Sequence, residues 1–112
     1  MKNLGMSLDL VDDPESIEEY KKYHRDVWPE VKKGLAEIGI KDMNIYLIGN
    51  RLFMAISVPD SFDLKKDFQK YTESSKIAAE WDILMRKFQQ KTPFTSEEDW
   101  WAPMEKVFEL NF

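Results

Sequence analysis

One histidine serves the whole 112-residue chain, and its neighbours decide what it could do. Tyr20 stands four residues before His24, and Trp28 stands four after it. On a helix, residues four apart share a face, so a phenol, an imidazole and an indole would line one ridge. That mixture suits a small polar ligand with apolar faces, such as a sugar. The imidazole, with an ordinary pKa of about 6.5, moves protons near neutrality. The phenol donates a hydrogen bond, and an indole packs on the C–H face of a pyranose. A plainer reading competes: His24 as a solvated side chain among Lys21, Lys22 and Arg25, and Tyr20 as a core aromatic with its hydroxyl at the rim. The segment alone leaves both open.

Further groups could join it. Trp81, Trp100 and Trp101 are stacking candidates, and the Trp100-Trp101 doublet follows the acidic run Glu97-Glu98-Asp99, where two large rings are poor choices unless they meet a pocket or a partner. Asp82, beside Trp81, and Asp99, before Trp100, could accept a sugar hydroxyl or take the second proton-transfer role. Each could equally be a solvated carboxylate. There is no cysteine and no second histidine, no glycine-rich phosphate loop and no Gly-x-Ser-x-Gly. Any catalysis read from this chain is proton transfer with no metal and no cofactor.

The bulk properties narrow the partner. A net charge of −5 argues against nucleic acid, which calls for a basic stripe, and favours a neutral ligand over a phosphorylated one. No apolar run approaches a membrane span and no targeting segment is visible. The expectation is a single soluble domain over residues 1–112, cytoplasmic, binding a small monosaccharide.

The elements that must position these residues follow from periodicity. Residues 3–11 alternate Leu4, Met6, Leu8 and Leu10 with small or polar residues, which is a half-buried strand. Asp13-Pro14 starts a helix that runs to Ile38, with Pro29 forcing a break at 26–28 and Gly39 ending it. Strands are expected at 43–48 and 52–58 around the turn pair Gly49-Asn50. Helices are expected at 62–71 and 77–90, a loop at 94–103, and a final strand at 104–110. The order β–α–β–β–α–β, with helices on one face, is the ferredoxin-like α+β plan. Leu52-Phe53-Met54-Ala55-Ile56 is apolar on both faces, and helices can cover only one. The simplest cover for the other is a second subunit, hence a homodimer packed sheet to sheet, as in dimeric α/β-barrel proteins. The alternative cover is the tryptophan-rich loop.

These residues carry a resemblance. Glu19-Tyr20-x-x-x-His24-x-x-x-Trp28-Pro29-Glu30 resembles the signature of the L-rhamnose mutarotase family. Agreement continues in order through Ile45-Tyr46-Leu47, Leu52-Phe53, Trp81 with Met85, and Val107-Phe108. The resemblance implies a small dimeric ferredoxin-like protein that interconverts the α and β anomers of a deoxy sugar without metal or cofactor. It implies His24 as proton donor, with Tyr20 and Trp81 in contact with the sugar. It also marks two departures at sugar-contacting positions. Asp82 stands where rhamnose members look to have a second tryptophan, and Met43 where they carry a tyrosine. Both departures point to L-fucose ahead of L-rhamnose. Rival expectations on the same fold are a cofactor-free monooxygenase and a non-catalytic sugar-binding module.

Overall fold

The structure is a computed structural model that describes residues 1–110. Strand β1 (Lys2–Leu10) is followed by helix α1 (Pro14–Arg25), helix α2 (Pro29–Glu37), and the hairpin of β2 (Asp42–Ile48) with β3 (Arg51–Val58). Helices α3 (Leu64–Ser74) and α4 (Lys76–Arg86) come next, then two short strands, β4 (Gln89–Gln90) and β5 (Ala102–Pro103). The antiparallel sheet has the order β2-β3-β1-β4, with β5 also on β1. This is the expected ferredoxin-like α+β plan, with its long helices broken in two.

Local chemistry explains most boundaries. Asp13 caps α1, its carboxylate accepting from the Ser16 amide at 3.0 Å, and Pro14 fills the first turn, where no amide proton is needed. Pro29 opens α2 in the same way, so the break expected at 26–28 divides the two helices. Gly39 (φ 104°) and Gly49 (φ 58°) take the left-handed turns that end α2 and close the hairpin. Asp63 and Ser75 cap α3 and α4.

The core lies between the sheet and the helices. Leu8, Leu10, Leu52, Ile56 and Val58 are fully buried, all on one face of alternating strands. Leu10 and Leu52 pack with Tyr20, Val31, Tyr71, Trp81 and Met85 from the four helices. The opposite face of the sheet is only partly covered. Phe53 (39% exposed) stacks on Tyr46 with centroids 6.2 Å apart, and Ile48 is 81% exposed. Gly5 has no side chain because the Phe53 ring lies across it; a Cβ there would sit 3.0 Å from Phe53 Cε1.

Two expectations are corrected. The second long helix ends at Arg86, not residue 90: Lys87 and Phe88 close tight turns onto Leu84 and Met85, and Gln89 pairs with Leu10. The expected strand over 104–110 is not a strand. The open edge of β1 is taken by β4 opposite Asp9 and Leu10 and by β5 opposite Met6 and Ser7, and the Met104 amide makes the last bond, to the Gly5 carbonyl. Residues 91–101 are an excursion between these two pieces of one strand position. Residues 104–110 have no regular structure, and Val107 is 88% exposed.

Candidate functional site

Helix α1 delivers His24 in its last turn. The imidazole Nδ1 lies 2.8 Å from the Tyr20 carbonyl oxygen. A carbonyl only accepts, so Nδ1 carries the proton and donates, and Nε2 keeps its lone pair. The ring is held on two further sides: Tyr20 lies against it at 4.2 Å between centroids, and the edge of Trp81 meets it at 5.5 Å. Burial lowers the His24 pKa from its ordinary 6.5, and the Tyr20 carbonyl partly opposes that shift. At neutral pH the group is therefore a neutral imidazole with a free acceptor nitrogen, which is the form of a general base.

His24 opens onto a cavity of about 410 Å³ between α2 and β2, within the range of small-molecule sites. Val27, Leu35, Ile40, Met43 and Ile45 give it apolar walls, and Lys32, Lys41 and Asp42 add charge. Of the ridge expected from the sequence, only His24 lines this cavity, and Met43, from a different element, lines it with His24; Trp28 lines a separate pocket with Glu19, Lys22, Tyr23 and Asp26. Among the described residues, no group of three His, Asp or Glu side chains is placed to hold a metal ion. No helix among them is long and apolar enough to cross a membrane.

The other expected site residues fall behind this wall or beside it. Tyr20 is buried, and desolvation pushes its phenol up to about 12, with a Gln89 side-chain hydrogen bond acting the other way. It is a neutral phenol across the physiological range. Trp81 is buried too, its ring meeting Trp28 at 5.0 Å and Tyr23 at 6.1 Å, both edge-on. Both rings brace His24 from the core side. Trp28 fills the break before Pro29 and packs on the core cluster. Asp82 points along α4 to Arg86, at 3.0 Å. The Arg86 guanidinium lies over the Trp100 ring at 4.7 Å. The Trp100 indole N–H donates to Gln89 Oε1 at 2.9 Å. Trp101 packs on both core clusters, and Asp99 accepts from Ser96 within its own loop. Gln89, Lys32, Lys41 and Asp42 were missed from the sequence. Nothing local marks them, since each gains its place only when the strand or helix that carries it docks.

Helices over one face of an antiparallel β2-β3-β1-β4 sheet, with a lone imidazole opening onto a cavity between α2 and β2, define a ferredoxin-like α+β protein with a single-histidine site. The model of the L-rhamnose mutarotase family matches residues 3–110, and the chain belongs to that family, an isomerase family acting on sugar anomers. The chain is 53% identical to a UPF0734 protein of Dictyostelium discoideum, over 99% of this chain and 91% of that one. It is 33% identical to an L-fucose mutarotase of Xanthomonas campestris pv. campestris, over 99% and 90%. The crystal structure of an L-rhamnose mutarotase from Formosa agariphila superposes with a TM-score of 0.72 at 22% identity, covering 99% of this chain and 100% of that one. That likeness shows the shared fold.

Proposed function

We propose that this chain interconverts the α and β anomers of a 6-deoxy-hexose, L-fucose ahead of L-rhamnose, by acid–base ring opening at His24. The observation that carries the reading is the free Nε2 of a neutral His24 on a cavity whose wall includes Met43. Nε2 takes the proton from the anomeric hydroxyl as the C1–O5 bond breaks and C1 becomes an aldehyde. The ring oxygen then receives a proton from the imidazolium so formed. Rotation about C1–C2 presents the other face of the aldehyde, and the steps run in reverse. One imidazole can serve both oxygens because O1 and O5 share the same carbon. Tyr20, with its pKa about 12, and Asp82, paired to Arg86, are poorer choices for the second proton. They join Trp81, Trp100 and Trp101 as residues that shape the site around His24.

The apolar wall of Met43, Ile45 and Leu35 suits the C6 methyl of a deoxy sugar, and the charged rim suits its hydroxyls. A thioether at Met43 offers no hydrogen bond of the phenol type, so the hydroxyl pattern accepted there differs from that of a tyrosine-lined pocket. Full-length similarity to an L-fucose mutarotase supports the same choice. The half-open sheet face with Tyr46, Ile48 and Phe53, together with the exposed Val107 and Phe108 of the tail, supports a homodimer closed through that face. NMR saturation transfer between anomeric protons, run on L-fucose, L-rhamnose, D-galactose and D-ribose, tests the reading. Acceleration with L-fucose is expected. No acceleration with any sugar rejects the activity, and acceleration with L-rhamnose alone rejects the substrate choice.

A further inference from the structure

Two ammonium groups stand at the cavity that His24 opens onto, and the acid–base scheme uses neither. Lys32 comes from α2, and Lys41 from the residue just before β2. Among the described residues neither is in an ion pair, whereas Lys21 and Lys22 on α1 are held by Glu18 and Glu19. The two are not equivalent. Lys41 is followed by Asp42, which lines the same cavity, so the β2 side carries both signs. On the α2 side Lys32 is the charged residue of the lining, with Leu35 and Ala36 beside it.

The break at Pro29 sets Lys32 where it is. Pro29 restarts the helix, and the Lys32 amide donates to the Trp28 carbonyl at 3.3 Å, closing the first turn of α2. Residues three and four apart share a helix face, so Lys32, Leu35 and Ala36 form one strip, and all three line the cavity. Val31 and Gly34 are buried instead. A cation in a first turn stands at the positive end of the helix dipole, where it is disfavoured. Without an ion pair and at that end of the helix, the charge of Lys32 does nothing to stabilise α2.

We propose that Lys32 is a second catalytic residue, its ammonium stabilising the alkoxide that ring opening leaves on the ring oxygen of the sugar. The inference rests on His24 being the proton-transfer group. When Nε2 takes the O1 proton, the O1–H electrons form the C1=O bond and the C1–O5 electrons pass to O5. O5 then carries a negative charge until the proton of the imidazolium reaches it. The reverse steps on the other face of the aldehyde regenerate the same alkoxide. A sugar seated against His24 has the α2 strip as another wall of its cavity, and an ammonium brings positive charge and three donors with no acceptor. Charge set where charge develops lowers the barrier rather than tightening the ground state.

The chain has no cysteine, so Lys32→Cys offers one thiol, and aminoethylation of that thiol restores an ammonium on a stem of lysine length. Lys32→Gln and untreated Lys32→Cys are expected to lower kcat for L-fucose about 10-fold, with KM little changed. That is short of the ~10²–10³-fold of a buried oxyanion donor, because Lys32 is exposed and water screens it. Aminoethylation of Lys32→Cys should recover most of the loss. The same treatment of Lys33→Cys, next in the chain but outside the lining, should change nothing. Lys41→Gln should lose less than Lys32→Gln. An unchanged kcat in Lys32→Gln, no recovery on aminoethylation, or a larger loss in Lys41→Gln overturns the role. A second readout needs no turnover. The aldonate of L-fucose is open-chain and carries its negative charge at C1, the carbon that O5 leaves. Titrated against the imidazole NMR signal of the single histidine, it should bind the parent about 10-fold more tightly than Lys32→Gln. Equal binding, or none to the parent, overturns the contact between Lys32 and a charged sugar. If the parent accelerates no sugar yet the aldonate separates the two proteins, the mutarotase reading fails and the Lys32 contact stands.

Discussion

The His24 imidazole and the Tyr20 carbonyl meet at 2.8 Å within one turn of α1, and this contact decides which nitrogen is available for chemistry. It consumes the Nδ1 proton and leaves Nε2 as the acceptor of a ring that lines the cavity. It also occupies the carbonyl of a residue whose ring packs on the same imidazole. The tautomer is thus set by Tyr20 alone, and the ring plane by Tyr20 together with the edge of Trp81.

Removing the imidazole should therefore remove the chemistry and little else. His24→Ala is expected to lower anomer exchange by about 10²–10⁴-fold, read by saturation transfer with L-fucose. His24 is only half-buried, so the far-ultraviolet circular dichroism should be unchanged. Full activity in the variant would reject His24 as the acid–base group.

The pH profile follows from the same burial. His24 must be neutral to accept a proton, and its pKa lies below 6.5. Activity should stay level as pH falls to about 6.5 and decline only below it. The unfolded chain binds this proton more readily than the folded one, so the stability contributed by His24 is fully present above about 6.5. It is lost as pH falls from there through the lower folded value. Urea midpoints of the parent and His24→Asn, compared above and below that pH, should show a steeper acid loss in the parent.

Met43 is placed to bear on sugar choice. Met43→Tyr puts a phenol on the cavity wall shared with His24. It should move the ratio of kcat/KM for L-fucose to that for L-rhamnose toward rhamnose by about 10-fold or more. Asp82→Trp should move it less, since Asp82 pairs with Arg86 outside the cavity lining. The opposite ranking would assign the choice to α4.

Two core contacts give stability predictions of opposite sign. The Tyr71 hydroxyl is buried with no hydrogen-bond partner among the described residues, so Tyr71→Phe should stabilise by about 1 kcal/mol. A Cβ at Gly34 would sit 2.8 Å from Tyr71 Cε1, and the buried ring has little room to retreat. Gly34→Ala should cost about 1–3 kcal/mol by overpacking, more than the ~1 kcal/mol that alanine gains over glycine in a helix. Denaturant melts of both variants decide each sign.

The exposed stack of Tyr46 on Phe53 tests the second subunit. Phe53→Glu places a charge in the centre of the half-open sheet face. It should convert a dimer to a monomer in light scattering after gel filtration, with little loss of fold, since Phe53 faces away from the core. A parent protein that is already monomeric would reject the homodimer.

Much of the fold was legible in the residues themselves. The alternation of Leu4 through Leu10, Asp13-Pro14, Pro29, Gly39 and the Gly49 turn are local signals, and each acts through the backbone of its own segment. The spacing of Tyr20 and His24 put their rings together on one face of α1, while Trp28 fell beyond the helix end because Pro29 starts a new helix; periodicity chose which face of each element turned inward. Other features depended on which parts of the chain meet. The Val107-Phe108 segment has the pattern of a strand, but the β1 edge beside it is already filled by β4 and β5. Asp82 follows Trp81 in the sequence, but its 3.0 Å pairing with Arg86 comes from the turn of α4 that sets them four residues apart. The cavity brings His24 and Met43 together from two elements. Gln89 meets the Trp100 indole only after the sheet closes. Local sequence carries propensity and facing; long-range pairing and side-chain register across elements are properties of the packed whole.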